Sequence, residues 1–406
     1  MPLRQARLCR HTRSRYPVSL YRDKLPRPGY NSLCMATVDP SPPKRALAPP
    51  ARALVAETVH TKLPFLAELL AIAPLAGDAS NRRYFRLELA GGPPRSLVLM
   101  QLAEPEAFKQ SEEAVSGTAV PVTELPYINV LNHLAKADVA VPTLYYYDQA
   151  AGLLYLEDFG DLLLVQACQD ATGSEIGQLY RDAIETLVQI QSDATAPANP
   201  ACLAFHRTFD VPLLMWEFSH FLEYGVVARH GKPMATDDER PVRAEFQKIA
   251  ELLAAQPRVF THRDYHSRNL MVREARTNAQ RLGVLDFQDA LLGPATYDLA
   301  SLLRDAYIEL QDPVIDEMLE YYVELMARHG VAFADRPAFR RLFDLTSIQR
   351  NLKAAGRFVY IDRVKKNPKF LADIPRTLGY VRRNLAKYPE LATLRKHLAP
   401  YVPELE

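Results

Sequence analysis

The chain has 406 residues, 48% of them apolar and 24% charged, with a formal net charge of +1. That length buries a substantial core in one bilobal unit or two domains, and the near-zero charge argues against a nucleic-acid surface spread over the whole protein. No apolar run reaches the length of a membrane span, and Cys9, Cys34, Cys168 and Cys202 lie far apart with no CxxC pair, as expected of reduced thiols in a cytoplasmic protein rather than of a disulfide framework or zinc site.

The first 35 residues set Arg4, Arg7, Arg10, Arg13, Arg15, Arg22, Lys24 and Arg27 against a single acid, Asp23, without apolar periodicity. They read as a disordered extension, or as sequence upstream of a true start at Met35, with a basic targeting or nucleic-acid-binding arm as the alternative. Pro40, Pro42, Pro43, Pro49 and Pro50 follow as a stiff spacer, so residues 1–55 are expected to stand outside the fold. From there strand-like and helix-like segments alternate. Residues 87–89 and 96–100 read as strands parted by the Gly91-Gly92-Pro93-Pro94 turn. Tyr127, Val130, Leu131 and Leu134 recur at helical spacing and predict a helix over 127–137. Residues 153–156 read as a short buried strand halted by Glu157-Asp158-Phe159-Gly160. Helical patterns then dominate, at about 175–193, 212–226, 241–255, 298–310, 313–329, 338–358 and 375–398, interrupted by strand-like insertions at 258–272 and 282–287. Asp210 reads as an N-cap before Pro212, and Trp216 beside Glu217 reads either as core or as a sugar platform with a hydroxyl acceptor.

The chemistry concentrates in the two insertions. Asp264 and Asn269 are five residues apart, and Asp286 follows Asp264 by 22. A carboxylate that orients a hydroxyl, together with an amide and a carboxylate oxygen suited to Mg2+, is the set that phosphoryl transfer from ATP needs. Two rivals stand beside this reading. His262, Asp264 and His266 share one face of an extended strand and would serve as a zinc or iron triad, but that leaves Asn269 and Asp286 without a role. His262 and His266 as structural histidines is the other. A small sheet-rich lobe followed by a larger helical lobe, with the acidic cluster early in the second, predicts an α+β bilobal fold: an N-lobe over 56–157 that binds nucleotide, and a C-lobe over 158–406 that binds substrate and carries the chemistry.

His262-x-Asp264-x-His266-x-x-Asn269, then Asp286-Phe287-x-Asp289 and Tyr297-Asp298-Leu299-Ala300, resembles the aminoglycoside phosphotransferase and choline kinase family over roughly residues 70–400. The wording around these motifs, with Arg350-Asn351-Leu352-Lys353 in a late helix, is most similar to the bacterial kinases that phosphorylate the C1 hydroxyl of N-acetylmuramate and N-acetylglucosamine in cell-wall recycling. The resemblance implies a protein-kinase-like fold, ATP and Mg2+ as cofactors, an amino-sugar acceptor, and no nucleic-acid, membrane or obligate protein partner. It makes Asp264 the catalytic residue and Asn269 and Asp286 the metal ligands. His262 and Asp298 become structural supports of the catalytic loop. Ser80, Asn81 and Arg83 fall in a nucleotide-covering loop, and Glu157 at the junction where an adenine edge is met. Glu217, His266, Arg304 and Asp305 are the candidate acceptor contacts. Aminoglycosides, choline or ethanolamine, homoserine and fructosamines are alternative acceptors, and an ATP-binding regulatory pseudokinase is an alternative class.

One departure stands out. Met100 occupies the third-strand position where such kinases carry a phosphate-gripping lysine, and the 127–137 helix has no glutamate to pair with it. Losing both partners together leaves no buried charge unpaired, and Arg83 or Arg82 is expected to supply the missing cation.

Overall fold

The computed structural model describes residues 48–75, 82–103, 124–273 and 281–406; the basic arm before residue 48 and most of the expected nucleotide-covering loop, Ser80 and Asn81 included, lie outside them. Helix α1 (Arg52–Thr61) starts inside the stretch assigned to the extension. It is ordered because Val55 and Val59, one turn apart, bury completely against Leu87, Leu97, Leu99 and Tyr155. Arg52 also ties its first turn to the Leu70 carbonyl at 2.8 Å.

The small lobe is one antiparallel sheet of β1 (Glu68–Leu75), β2 (Arg83–Ala90), β3 (Ser96–Gln101), β4 (Leu144–Asp148) and β5 (Leu153–Glu157), in the order β1-β2-β3-β5-β4. The sequence pattern misses β1 and β4, neither of which alternates cleanly between buried and exposed positions. In β2 the alternation is clear: Phe85, Leu87 and Leu89 bury toward α1, while Tyr84 and Arg86 turn to the other face. The β2–β3 hairpin reverses at Gly91 and Gly92, whose φ angles of +106° and +140° an L side chain rarely adopts. Helix α2 (Pro126–Lys136) lies on the second face, where Tyr127, Val130, Leu131 and Leu134 share a core with Met100 of β3.

The larger lobe is built from α3 (Leu164–Ala167), α4 (Gly173–Asp193), α5 (Val211–His220), α6 (Thr236–Ala254), α7 (Thr296–Leu303), α8 (Asp312–Arg328), α9 (Arg336–Lys365), α10 (Ile374–Lys387) and α11 (Ala392–Leu398). Asp210 caps α5 by accepting from Leu213 N at 2.9 Å, and α5 runs on into a π-helical segment, Phe221–Ala228. There α9 passes so close that a Cβ on Gly356 would sit 2.8 Å from Phe221 Cα. The helix expected over 298–310 stops at Leu303: Arg304 leaves the helical region, and Asp305 Oδ1 takes up the Tyr307 amide at 2.9 Å. The expected 375–398 helix breaks at Tyr388, the residue before Pro389.

Four short strands carry the acidic segments. β6 (Arg258–Thr261) pairs with β9 (Leu291–Pro294), and β7 (Leu270–Val272) pairs with β8 (Leu282–Val284). The result is the expected α+β bilobal architecture. Among the described residues no helix is long and apolar enough to cross a membrane, and Cys168 and Cys202 are buried free thiols.

Candidate active site

A cavity of about 610 Å³ opens between the second face of the sheet and the helical lobe. β6 delivers the loop from His262 to Asn269 into it. The turn is strained: Arg263 has φ +79°, a conformation a bulky residue keeps only where its surroundings fix it. Here both oxygens of the Asp298 carboxylate do so, accepting from His262 N at 2.6 Å and Arg263 N at 2.9 Å. Burial pushes the Asp298 carboxyl up to about 6, with His262 and these two amides pulling the other way. Asp305 grips the far end of the same loop by accepting from Ser267 N at 2.8 Å. His262 Nε2 meets the Leu285 carbonyl at 2.8 Å and so joins the loop to the second acidic segment.

The β7–β8 pairing then decides which oxygens meet. Leu270 opposes Val284, and Leu285 N donates to the Asn269 carbonyl at 2.9 Å, which sets Asn269 beside Asp286 at the mouth of the hairpin. Asn269 Nδ2 donates to the Asp264 carbonyl at 2.9 Å, leaving its amide oxygen for the cavity. Asp286 sits at φ +61° and accepts from Gln288 Nε2 at 2.8 Å. One amide oxygen and one carboxylate, with Asp289 also on the cavity wall, fit a hard octahedral cation that completes its shell with water and phosphate oxygens. Among the described residues no cluster of three His, Cys, Asp or Glu side chains could hold a metal, so His262, Asp264 and His266 do not form the rival triad.

Asp264 faces Lys353 of α9, Nζ to Oδ1 at 3.5 Å. Burial works to raise its carboxyl, but Lys353, His266, Arg263 and Arg350 together hold it well below the usual carboxylate range. The side chain keeps 38% of its surface open to the cavity, so solvent screens part of that field without reversing it. His266 also lines the cavity; burial lowers its pKa, and its Nδ1 has no hydrogen-bond partner.

On the sheet side the wall is apolar at Val98 and Leu156, paired across β3 and β5, and Met271 of β7 also lines the cavity. Glu157 reaches the cavity, but its carboxylate already accepts from Thr143 Oγ1 at 2.8 Å and Arg273 Nη2 at 3.0 Å. Arg86 clamps the junction after β5, bonding both oxygens of Asp158 at 2.7 and 3.1 Å and reaching Asp161. Met100 is fully buried. The cation beside the metal-type ligands is Arg82, whose Nη1 lies 4.0 Å from Asp286 Oδ1. Arg83, the first residue of β2, lies over the Phe85 ring.

Three expected acceptor contacts lie elsewhere. Glu217 is fully buried, held by Gln349 Nε2 at 2.6 Å and Arg263 Nη2 at 3.2 Å; it pairs with the arginine of the 262–269 loop and does not line the cavity. Arg304 is buried against Asp312 at 2.8 Å and the Tyr380 ring. Asp305 spends both oxygens on backbone amides. Trp216 stacks on His220 and packs against the apolar core of the helical lobe. Residues that the sequence reading passed over take their place: Arg268, Tyr307, Arg357, Phe358 and Phe370 all line the cavity. Arg268 was the visible one, since it immediately precedes Asn269.

Residues 71–334 match the family model described as "Phosphotransferase enzyme family". The N-acetylmuramate/N-acetylglucosamine kinase of Pseudomonas aeruginosa is 34% identical over 81% of this chain and 88% of that protein. The kinase of the same name from Neisseria meningitidis serogroup B is 31% identical over 82% of this chain and 90% of that protein. Among solved structures, the ADP-bound aminoglycoside phosphotransferase APH(2'')-Ib superposes with TM-score 0.52 at 12% identity, covering 81% of this chain and 98% of that one. The gentamicin complex of APH(2'')-IIa gives TM-score 0.53 at 12% identity over 81% and 96%. At such identities these structures speak to the fold, which is the kinase-like one.

Proposed function

The chain belongs to the phosphotransferase enzyme family, and from that premise we propose that it is an ATP-dependent sugar kinase that phosphorylates the anomeric hydroxyl of N-acetylmuramate and N-acetylglucosamine. Two similar proteins named for that activity, each at more than 30% identity over about four fifths of this chain, support the choice of acceptor. The observation that carries the reaction class is the meeting of Asp264, Asn269 and Asp286 in one cavity between sheet and helices.

In this reading nucleotide enters between the 56–157 lobe, which α1 extends to Arg52, and the 158–406 lobe. Its base packs on Val98, Leu156 and Met271 near the backbone of Glu157. Asn269 and Asp286 hold Mg2+, which when bound offsets the charge that builds on the phosphates. Arg82 stands beside Asp286 and takes the place of the absent strand lysine. Asp264 accepts a hydrogen bond from the C1 hydroxyl and aims its oxygen at the γ-phosphorus. The new bond joins the C1 oxygen to phosphorus, the bond to the ADP oxygen breaks, and the hydroxyl proton passes by way of Asp264 to solvent. A carboxylate so firmly ionised is a weak base and acts mainly by orientation. An anomeric hydroxyl, more acidic than an ordinary alcohol, asks for no more. His266, which lines the cavity beside Asp264, is placed to hold a neighbouring sugar hydroxyl. The reaction belongs in the cytoplasm, where ATP is.

The test is an ADP-release assay across amino sugars, aminoglycosides and amino alcohols, with Asp264→Asn as control. Turnover of the two N-acetylated sugars supports the assignment; inert amino sugars with reactive aminoglycosides or choline would replace the acceptor. Nucleotide binding with no product from any acceptor would make the protein a binder.

A further inference from the structure

The acceptor end of the cavity holds more positive charge than transfer to a neutral sugar requires. Lys353 is engaged with Asp264, and Arg350 donates from Nε to Ser301 Oγ at 2.9 Å. Arg268 is different. It lies flat on Tyr307, with Cζ 3.7 Å from the ring centroid, and 5.6 Å from the Phe370 ring. These contacts fix its plane, yet its Nη1 is buried with no hydrogen-bond partner. The acid whose charge it feels, Asp373, is also paired with Arg376 at 3.4 Å. Phe358 stacks on Phe370 at 5.6 Å and stands 6.2 Å from Tyr307, completing an aromatic wall beside the guanidinium. Arg268 lines the cavity, and a guanidinium held flat on an aromatic ring suits a carboxylate there: the planar fork matches the two oxygens, and the occluded, unpartnered Nη1 is a costly buried donor that a small shift of the side chain lets a ligand complete.

We propose that Arg268 recognises a carboxylate on the acceptor, and so separates an acidic amino sugar from a neutral one at the same catalytic centre. The inference rests on the sugar-kinase reading above. N-acetylmuramate carries a lactyl ether acid that N-acetylglucosamine lacks. The sugar ring lies on the Tyr307–Phe358–Phe370 wall, and the acid reaches Arg268. Phosphoryl charge is met at the other end of the cavity by Arg82, so this second cationic site serves the acceptor.

The experiment compares kcat/KM of wild type, Arg268→Met and Arg268→Lys on N-acetylmuramate, its lactyl amide and N-acetylglucosamine. Wild type is expected to prefer the acid over its amide by about 10- to 100-fold, the scale of a charge-assisted pair. In Arg268→Met that preference collapses through KM, and the loss on N-acetylmuramate exceeds the loss on N-acetylglucosamine by at least about tenfold. Arg268→Lys restores part of it. Equal losses on both sugars would make Arg268 a structural brace and overturn the proposal. Equal use of acid and amide by wild type would overturn it without any variant. Turnover of neither sugar by wild type rejects the sugar-kinase reading itself, an outcome distinct from the other two.

Discussion

Lys353 Nζ stands 3.5 Å from Asp264 Oδ1, linking a helix late in the chain to the carboxylate of the catalytic loop. The pairing works against protonation of Asp264, which in the proposed reaction acts as the orienting group. Removing the cation in Lys353→Met leaves burial less opposed, so the Asp264 carboxyl moves up. The acid limb of the pH–kcat/KM profile then shifts to higher pH, and kcat falls about tenfold or more. An unchanged profile would dissociate Lys353 from Asp264.

Asp264→Asn keeps the side chain's size but loses the charged acceptor for the sugar hydroxyl. We expect kcat to fall by about 10²- to 10⁴-fold with nucleotide affinity nearly intact. The pair of readouts matters: calorimetric nucleotide binding should survive where turnover does not.

Arg82 immediately precedes β2 and Arg83 opens it; Arg82 lies beside Asp286, and Arg83 over the Phe85 ring. Arg82→Ala should raise the KM for ATP about tenfold, the scale of one lost charge-assisted contact, and Arg83→Ala should change it little. Reversed effects would place the missing cation on the wrong residue.

Asp298 gives a pH signature in stability. Its folded carboxyl lies at about 6, against about 3.9 in an unfolded chain. The fold therefore binds this proton more tightly, a stabilising contribution complete below about pH 4 and lost as pH rises through about 6. The Tm of wild type minus that of Asp298→Asn should fall between pH 4 and 7. A constant difference would mean that Asp298 does not titrate in this window.

Gly356 marks the closest approach of α9 to the π-helical segment, where a Cβ would meet Phe221 backbone. Gly356→Ala should lower stability by about 1–3 kcal/mol in denaturant titration, despite the better helix propensity of alanine.

What the sequence revealed follows from distance along the chain. Asp264, Asn269 and Asp286 were legible because two short strands bring them together locally, through the Leu270–Val284 register. The bilobal order of sheet and helices was legible from apolar periodicity. Glu217 was misplaced because its partners, Arg263 and Gln349, lie 46 and 132 residues away, and nothing local marks it as buried. Arg304 and Asp305 looked like a continuing helix face until the Asp305 carboxylate turned the backbone at Tyr307. Arg268 was overlooked for the same reason: its aromatic supports, Tyr307 and Phe370, come from segments far along the chain.

The most direct measurement is phosphorus–proton correlation NMR of the product made from ATP, Mg2+ and N-acetylmuramate. One new phosphate coupled to the anomeric proton is expected, absent when Asp264 is replaced by asparagine. Phosphate on any other hydroxyl, or an equal yield from the Asp264→Asn protein, would contradict the proposed reaction.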